Sequence, residues 1–183
     1  IGLIGQSKRL FAPLKSLPLR LGIGGVLVGV LAIGSTQILG NGYEVIVRIM
    51  AGDFLLPMLL ALLLLKMLAT AISVGSSAVG GLFTPALLIG ALMGEAVALV
   101  AAAAGLPIGN AEVFAAVGMG AVLASVSQAP LMAMLMVLEM TLNSSLLFPA
   151  MIACVLASMT VYRLHSTSTY PVSYTHLTLP TSD

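Results

Sequence analysis

The sequence predicts an all-α membrane domain, and three observations carry that expectation. Hydrophobic residues make up 60% of the 183-residue chain and charged residues only 7%, far from the balance of soluble domains. The mean hydropathy is +1.16. The third observation is length: apolar runs near the roughly 20 residues needed to cross a ~30 Å hydrocarbon core alternate with runs too short to cross it.

Taken in order, residues 1–20 read as the end of a preceding helix and a cytoplasmic linker, because Pro13 and Pro18 interrupt any helix there. Lys8, Arg9, Lys15 and Arg20 cluster in this stretch, and cations beside a span favour the cytoplasmic side. The membrane domain is expected over residues 21–164, with about seven helical segments. Residues 21–39 form a first crossing rich in glycine (Gly22, Gly24, Gly25 and Gly29). Gly40-Asn41-Gly42 is a turn signal, and residues 43–50 make an element too short to cross. Such a piece is tolerated at membrane depth only where protein or a water-filled cavity covers its ends. Asp53 is placed to cap a spanning helix over residues 54–74.

Small residues at 75–81 then break the helix inside the membrane region, and residues 82–104 resume with a full crossing. After the Gly105 to Asn110 loop, two shorter helices are expected at 113–126 and 130–140, separated by Ser127-Gln128-Ala129-Pro130. A polar turn at 141–145 leads into residues 146–164, again near crossing length. Gly90 and Gly94, four apart, allow close backbone packing. Short and Gly/Pro-interrupted segments among full spans point to a transporter-type site near the bilayer midplane.

The composition also excludes classes. A net charge of +1 leaves no clustered cations to neutralise nucleic-acid phosphates. The single cysteine, Cys154, lies in an apolar run and reads as a small buried side chain. His165 and His176 are the only histidines, too few for a metal-ligand pattern, so no metal site is expected. The eleven methionines read as flexible packing, with Met132, Met134 and Met136 alternating faces of their helix. The chain starts at Ile1 without a signal-peptide pattern and reads as an internal piece of a longer protein.

The richest stretch for chemistry is 73–94. A helix beginning at Leu82 or Phe83 points its first amides out of its end, with roughly half a positive charge from the aligned dipoles. Gly80 and Gly81 carry no side chain that would keep a ligand from those amides, and Pro85 in the first turn gives up only an N–H the helix does not use. That geometry suits a weakly held anion. It equally suits a helix start that simply packs against a neighbour.

Gly80-Gly81-Leu82-Phe83-Thr84-Pro85, followed by Gly90-Ala91 and Gly94, resembles the G-G-x-F-x-P signature of the CLC chloride channel and chloride/proton antiporter family. Residues 116–130 (AVGMGAVLASVSQAP) resemble that family's A-G-M-G-A-x-L-A-x-x-x-x-A-P segment, and residues 137–141 (VLEMT) its V-L-E-M-T. The likeness runs from residue 21 to about 170, in the family's order. It implies a CLC-type bundle of full-length and half-length tilted helices, the second of two inverted repeats, in a homodimer whose subunits each have an anion pathway. It implies no cofactor beyond chloride as the transported ligand, and integral residence in a lipid bilayer, the bacterial inner membrane. By the same likeness, Gly81, Leu82 and Phe83 line the anion site with their backbone, and Gly80, Thr84 and Pro85 support the helix start. A tyrosine hydroxyl at the start of the last helix is carried onto Tyr170, in the 165–171 segment. The family's first-repeat motifs, G-S-G-I-P and the glutamate of G-K-E-G-P, do not occur in these residues.

The closing run 172–183 (VSYTHLTLPTSD) departs from the family pattern. It resembles translated adapter sequence, so it is set aside from fold reasoning as a non-native tail.

Among the remaining polar residues, Glu139 is either a functional group within an apolar helix or, as favoured, bonds backbone at a helix end. Lys66 either tunes a pore's potential or, as favoured, snorkels to an interface. Glu95 faces an aqueous vestibule or lies at a subunit edge. Glu44 and Asp53 border loops.

Against anion transport stand two other classes. A purely structural membrane subunit has no need for a glycine-flanked helix start. An intramembrane protease would need paired aspartates or an H-E-x-x-H helix, and the sequence holds only Asp53 and Asp183 and no such motif. No enzyme activity is expected.

Overall fold

The structure, a computed structural model, describes residues 16–35, 42–52, 54–76 and 82–164. These residues form seven α-helices: α1 (Leu17–Gly34), α2 (Tyr43–Met50), α3 (Leu56–Gly75), α4 (Phe83–Ala103), α5 (Ala111–Ser127), α6 (Pro130–Thr141) and α7 (Leu147–Leu164), with a 3₁₀ turn (Ser144–Leu146) before α7. Nearly all of the described residues lie in helices, as the hydropathy pattern predicts. Four of the helical segments, α1, α3, α4 and Ser144–Leu164, are long and apolar enough to cross a membrane. At 1.5 Å per residue, α2, α5 and α6 reach only about 12, 26 and 18 Å, short of a ~30 Å core.

Proline fixes where the helices begin, and it accounts for two departures from the sequence expectation. The first crossing starts at Leu17 rather than residue 21, with Pro18 in its first turn and Ser16 extended before it. Pro18 therefore opens the helix instead of breaking it, because an N–H in the first turn has no intrahelical use. In the same way α3 begins at Leu56, with Leu55 at its cap and Pro57 in its first turn. A start at Phe54 would put Pro57 where the first ladder N–H is needed and its ring against the preceding carbonyl. Asp53, expected as the cap, lies outside the described residues. The bounds of α2 match the expected 43–50, and those of α4, α5 and α6 agree within about two residues, the ordinary uncertainty of helix ends.

The far end of α4 closes in a Schellman arrangement. Gly105, at φ 76°, donates to Ala102 O at 3.0 Å, and Leu106 donates to Ala101 O at 3.1 Å. A left-handed residue after the last turn is where glycine costs least. The α5–α6 junction places Gln128 itself in the left-handed region, φ 57°, with its Nε2 donating to Ser125 O at 2.9 Å and Pro130 opening the next helix.

Helix α5 is the hub. It packs most extensively on α4, then on α7 and α6, and it also touches α2. The α4–α5 contact is backbone on backbone: a Cβ added at Gly90 would lie 2.7 Å from Met119 Cα, and one at Gly94 would lie 2.6 Å from the Phe114 carbonyl carbon. From the other side, Gly118 presses against the Gly90 carbonyl and the Gly94 backbone. On the α7 side, a Cβ at Gly120 would stand 2.9 Å from Cys154 Sγ, and Ser158 Oγ donates to Ala124 O at 3.1 Å. Cys154 is buried, as its apolar run predicts. Leu88, Leu92, Ala115, Met119, Leu123 and Val137 fill the core around these contacts.

Outside this core many large apolar side chains lie on the surface. Leu19, Val26, Val30 and Ile33 on α1, and Phe148, Ile152 and Leu156 on α7, are all exposed, an arrangement suited to lipid or protein neighbours rather than water.

The glycine contacts predict a sharp ranking of alanine substitutions. Gly22 has nothing within 4 Å of an added Cβ, so Gly22→Ala should leave thermal stability in detergent unchanged or raise it by up to ~1 kcal/mol. Gly90→Ala has only backbone to push against and should lower stability by at least ~1–3 kcal/mol.

Candidate functional site: the start of helix α4

The sequence singles out the break before α4, and the structure describes its helical side. Leu82 is the capping residue (φ −86°, ψ −11°), and no side chain caps this end of the helix. The ladder opens with Ala86 N–H donating to Leu82 O at 3.1 Å. The amides of Leu82, Phe83 and Thr84 therefore lie ahead of the first intrahelical donor, and Pro85 has no N–H to offer.

The first turn of α4 holds no acidic residue, so nothing on the helix itself offsets the positive end of its dipole. A capping position filled by Ser, Asp or Asn would have turned an oxygen onto these amides. Leucine cannot. Leu82, Phe83, Thr84 and Pro85 are all half-buried, and Phe83 packs against the main core. A donor set of this kind, partly desolvated and without a counter-charge of its own, favours an anion over a cation.

The structure thus brings Leu82, Phe83, Thr84 and Pro85 together at one helix end. Gly80, Gly81 and Tyr170, expected at the same site, lie outside the described residues. So do Asp53, His165 and the 172–183 run.

Other polar residues are placed differently from expectation. Lys66, expected to snorkel, is 5% exposed in the middle of α3, because it lies on the buried side of the helix with Leu59, Leu62 and Ala69, while Leu64 and Leu68 face outward. Glu139, expected to bond backbone at the end of α6, is exposed. That end is closed instead by Thr141 Oγ1 donating to Val137 O at 2.8 Å and by Leu142 N–H donating to Leu138 O at 2.8 Å. Glu95, read as facing a vestibule or a subunit edge, is 2% exposed within the chain. Glu44 is exposed in the first turn of α2 and does border a loop.

Sequence reasoning also missed Gly118 as the third glycine of the α4–α5 contact. Its signal was present in the Gly118-Met119-Gly120 run, but the partner across the interface is not encoded locally.

Full-length apolar helices interleaved with half-length ones, around a glycine-packed core and an uncapped helix start, define a polytopic membrane protein. Comparison with known proteins makes the assignment specific. The family described as voltage gated chloride channel matches residues 3–162, and the chain belongs to that family. It is 40% identical over 177 residues to a ClcB-like protein of Ralstonia nicotianae named for a chloride channel, covering 93% of this chain and 40% of the relative. It is 36% identical over 173 residues to a voltage-gated ClC-type chloride channel ClcB of Escherichia coli, covering 92% of this chain and 41% of the relative. The chain therefore spans about two fifths of the length of these curated relatives.

The position of Pro85 is directly testable. Pro85→Ala restores one first-turn N–H and should change stability by less than ~1 kcal/mol. Proline placed one turn further on, in Ile89→Pro, removes a ladder bond and should cost ~3 kcal/mol or more. Thermal unfolding of the two variants in detergent checks the register of the helix start.

Proposed function

We propose that the protein carries chloride or a similar small anion across a membrane, by passive flow or in exchange for protons, with the start of α4 forming part of the anion's path. The observation that carries this reading is the uncapped first turn of α4, with Leu82 at its cap and no acidic residue beside it, in a chain of the voltage gated chloride channel family. The naming of its relatives as chloride channels supports the same reading.

In this mechanism no bond is made or broken. The ion gives up part of its hydration shell and receives amide N–H donors of Leu82 and Phe83 in exchange, with the Tyr170 hydroxyl as a further donor. The helix end supplies partial rather than full charge, so binding stays weak enough for the ion to leave again. Gly80 and Gly81 leave the approach clear, and Thr84 and Pro85 hold the first turn.

These residues form the second of two inverted repeats, the first lying in the remainder of the protein, and two subunits assemble as a homodimer with one pathway each. The bacterial origin of the relatives supports residence in a bacterial inner membrane.

The test is chloride efflux from liposomes holding the full-length protein, compared with a variant carrying Gly81→Leu and Phe83→Trp. The expected outcome is efflux in the parent and at least a tenfold loss in the variant, with folding and dimer size unchanged by size-exclusion chromatography. Unchanged efflux would remove the α4 start from the path, and absence of efflux for every halide would remove the transport reading.

A further inference from the structure

The carboxyl of Glu95 stands apart from the site described above. Glu95 lies in the middle of a spanning helix, is 2% exposed, and its Oε2 is the one buried side-chain polar atom among the described residues that no hydrogen bond reaches. Its place in the fold follows from helix geometry. Seven residues separate it from Leu88, so the two share a side of α4, and Leu88 is the side chain that meets Gly42 at the start of α2. The preceding residue, Gly94, sits on the Phe114 and Ala115 backbone of α5. Glu95 thus lies on a buried side of α4, one residue from the close α4–α5 contact.

The elements packed against α4 are α2, α3 and α5. Their charged side chains are Glu44 and Arg48 on α2, Lys66 on α3 and Glu112 on α5. Glu44, Arg48 and Glu112 are exposed and Lys66 is buried. Among the described residues, none forms an ion pair with Glu95; Glu112 lies in the first turn of α5. Among the described residues, Glu112 brings a charge of the same sign to the start of α5, two residues before the Phe114 backbone that meets Gly94.

A dry, unpaired carboxylate is among the least tolerated groups in a protein interior, and such a group neutralises itself when it can. A carboxyl kept at that place inside a span is a functional suspect by default.

We propose that Glu95 is a proton-binding site of the membrane domain, its carboxyl held as the neutral acid in the folded protein and exchanging its proton with water on the side where Glu112 lies. An O–H bond forms on one carboxyl oxygen when a proton arrives from water and breaks when it returns; nothing else is transferred. The inference does not depend on which ion the protein carries.

Infrared spectroscopy of the full-length protein in lipid membranes tests it independently of transport. At neutral pH the parent should show a carboxylic-acid C=O band that is wholly lost in Glu95→Gln, and Glu112→Gln should retain the band while moving the pH at which it bleaches. If Glu95→Gln does not fold, solid-state NMR of isotope-labelled glutamate in the unsubstituted protein reads the same state, an acid-type carboxyl shift for one buried glutamate being expected. Identical acid bands in parent and Glu95→Gln, or carboxylate shifts for every glutamate, would overturn the proposal. Loss of chloride efflux with the acid band intact would count against the transport reading alone.

Discussion

The rest of the structure depends on the direct backbone contact between α4 and α5. Lipid tails are as apolar as leucine, so spans gain little by hiding hydrophobic side chains from them; close van der Waals packing must hold the helices together. Gly90, Gly94 and Gly118 allow that packing, since each would drive a Cβ into the opposite backbone. Because α5 also receives α6 and α7, the contact fixes the two C-terminal helices to the one that carries the candidate site. The same device recurs at smaller scale: Gly24 of α1 fits against the Ser76 side chain at the end of α3, and Gly120 of α5 against Cys154 of α7.

This scaffold makes sense of the half-length helices. A helix end inside a membrane exposes amides or carbonyls that lipid cannot satisfy. At the far end of α4 the Schellman bonds through Gly105 and Leu106 satisfy carbonyls. At the α5–α6 junction, Ser127 Oγ donates to Leu123 O at 2.7 Å and accepts from the Ala129 N–H at 3.3 Å. The start of α4 has a leucine at its cap and no side-chain cap hydrogen bond.

Much of this was legible in the sequence, for reasons specific to each element. The alternation of full and half spans follows from the lengths of apolar runs between Gly and Pro signals, and α2, α4, α5 and α6 fall close to their expected bounds. The starts of α1 and α3 differ from the sequence expectation because Pro18 and Pro57, each in a first turn, open a helix rather than break one. The Leu82-Phe83-Thr84-Pro85 part of the motif marks a helix start, and the structure begins α4 at Phe83. Pairings across the bundle were not legible: nothing local says that Gly90 faces Gly118, or that Lys66 and Glu95 are enclosed rather than reaching an interface, since burial depends on which helices become neighbours.

The central claim is that the start of α4 holds an anion through its own amides. Its most direct test is a crystal structure of the full-length protein grown in bromide and recorded at the bromine absorption edge. The account predicts an anomalous peak at the first turn of α4, within hydrogen-bonding reach of the Leu82 or Phe83 N–H. Bromide peaks elsewhere along the protein, with none at that turn, would contradict it.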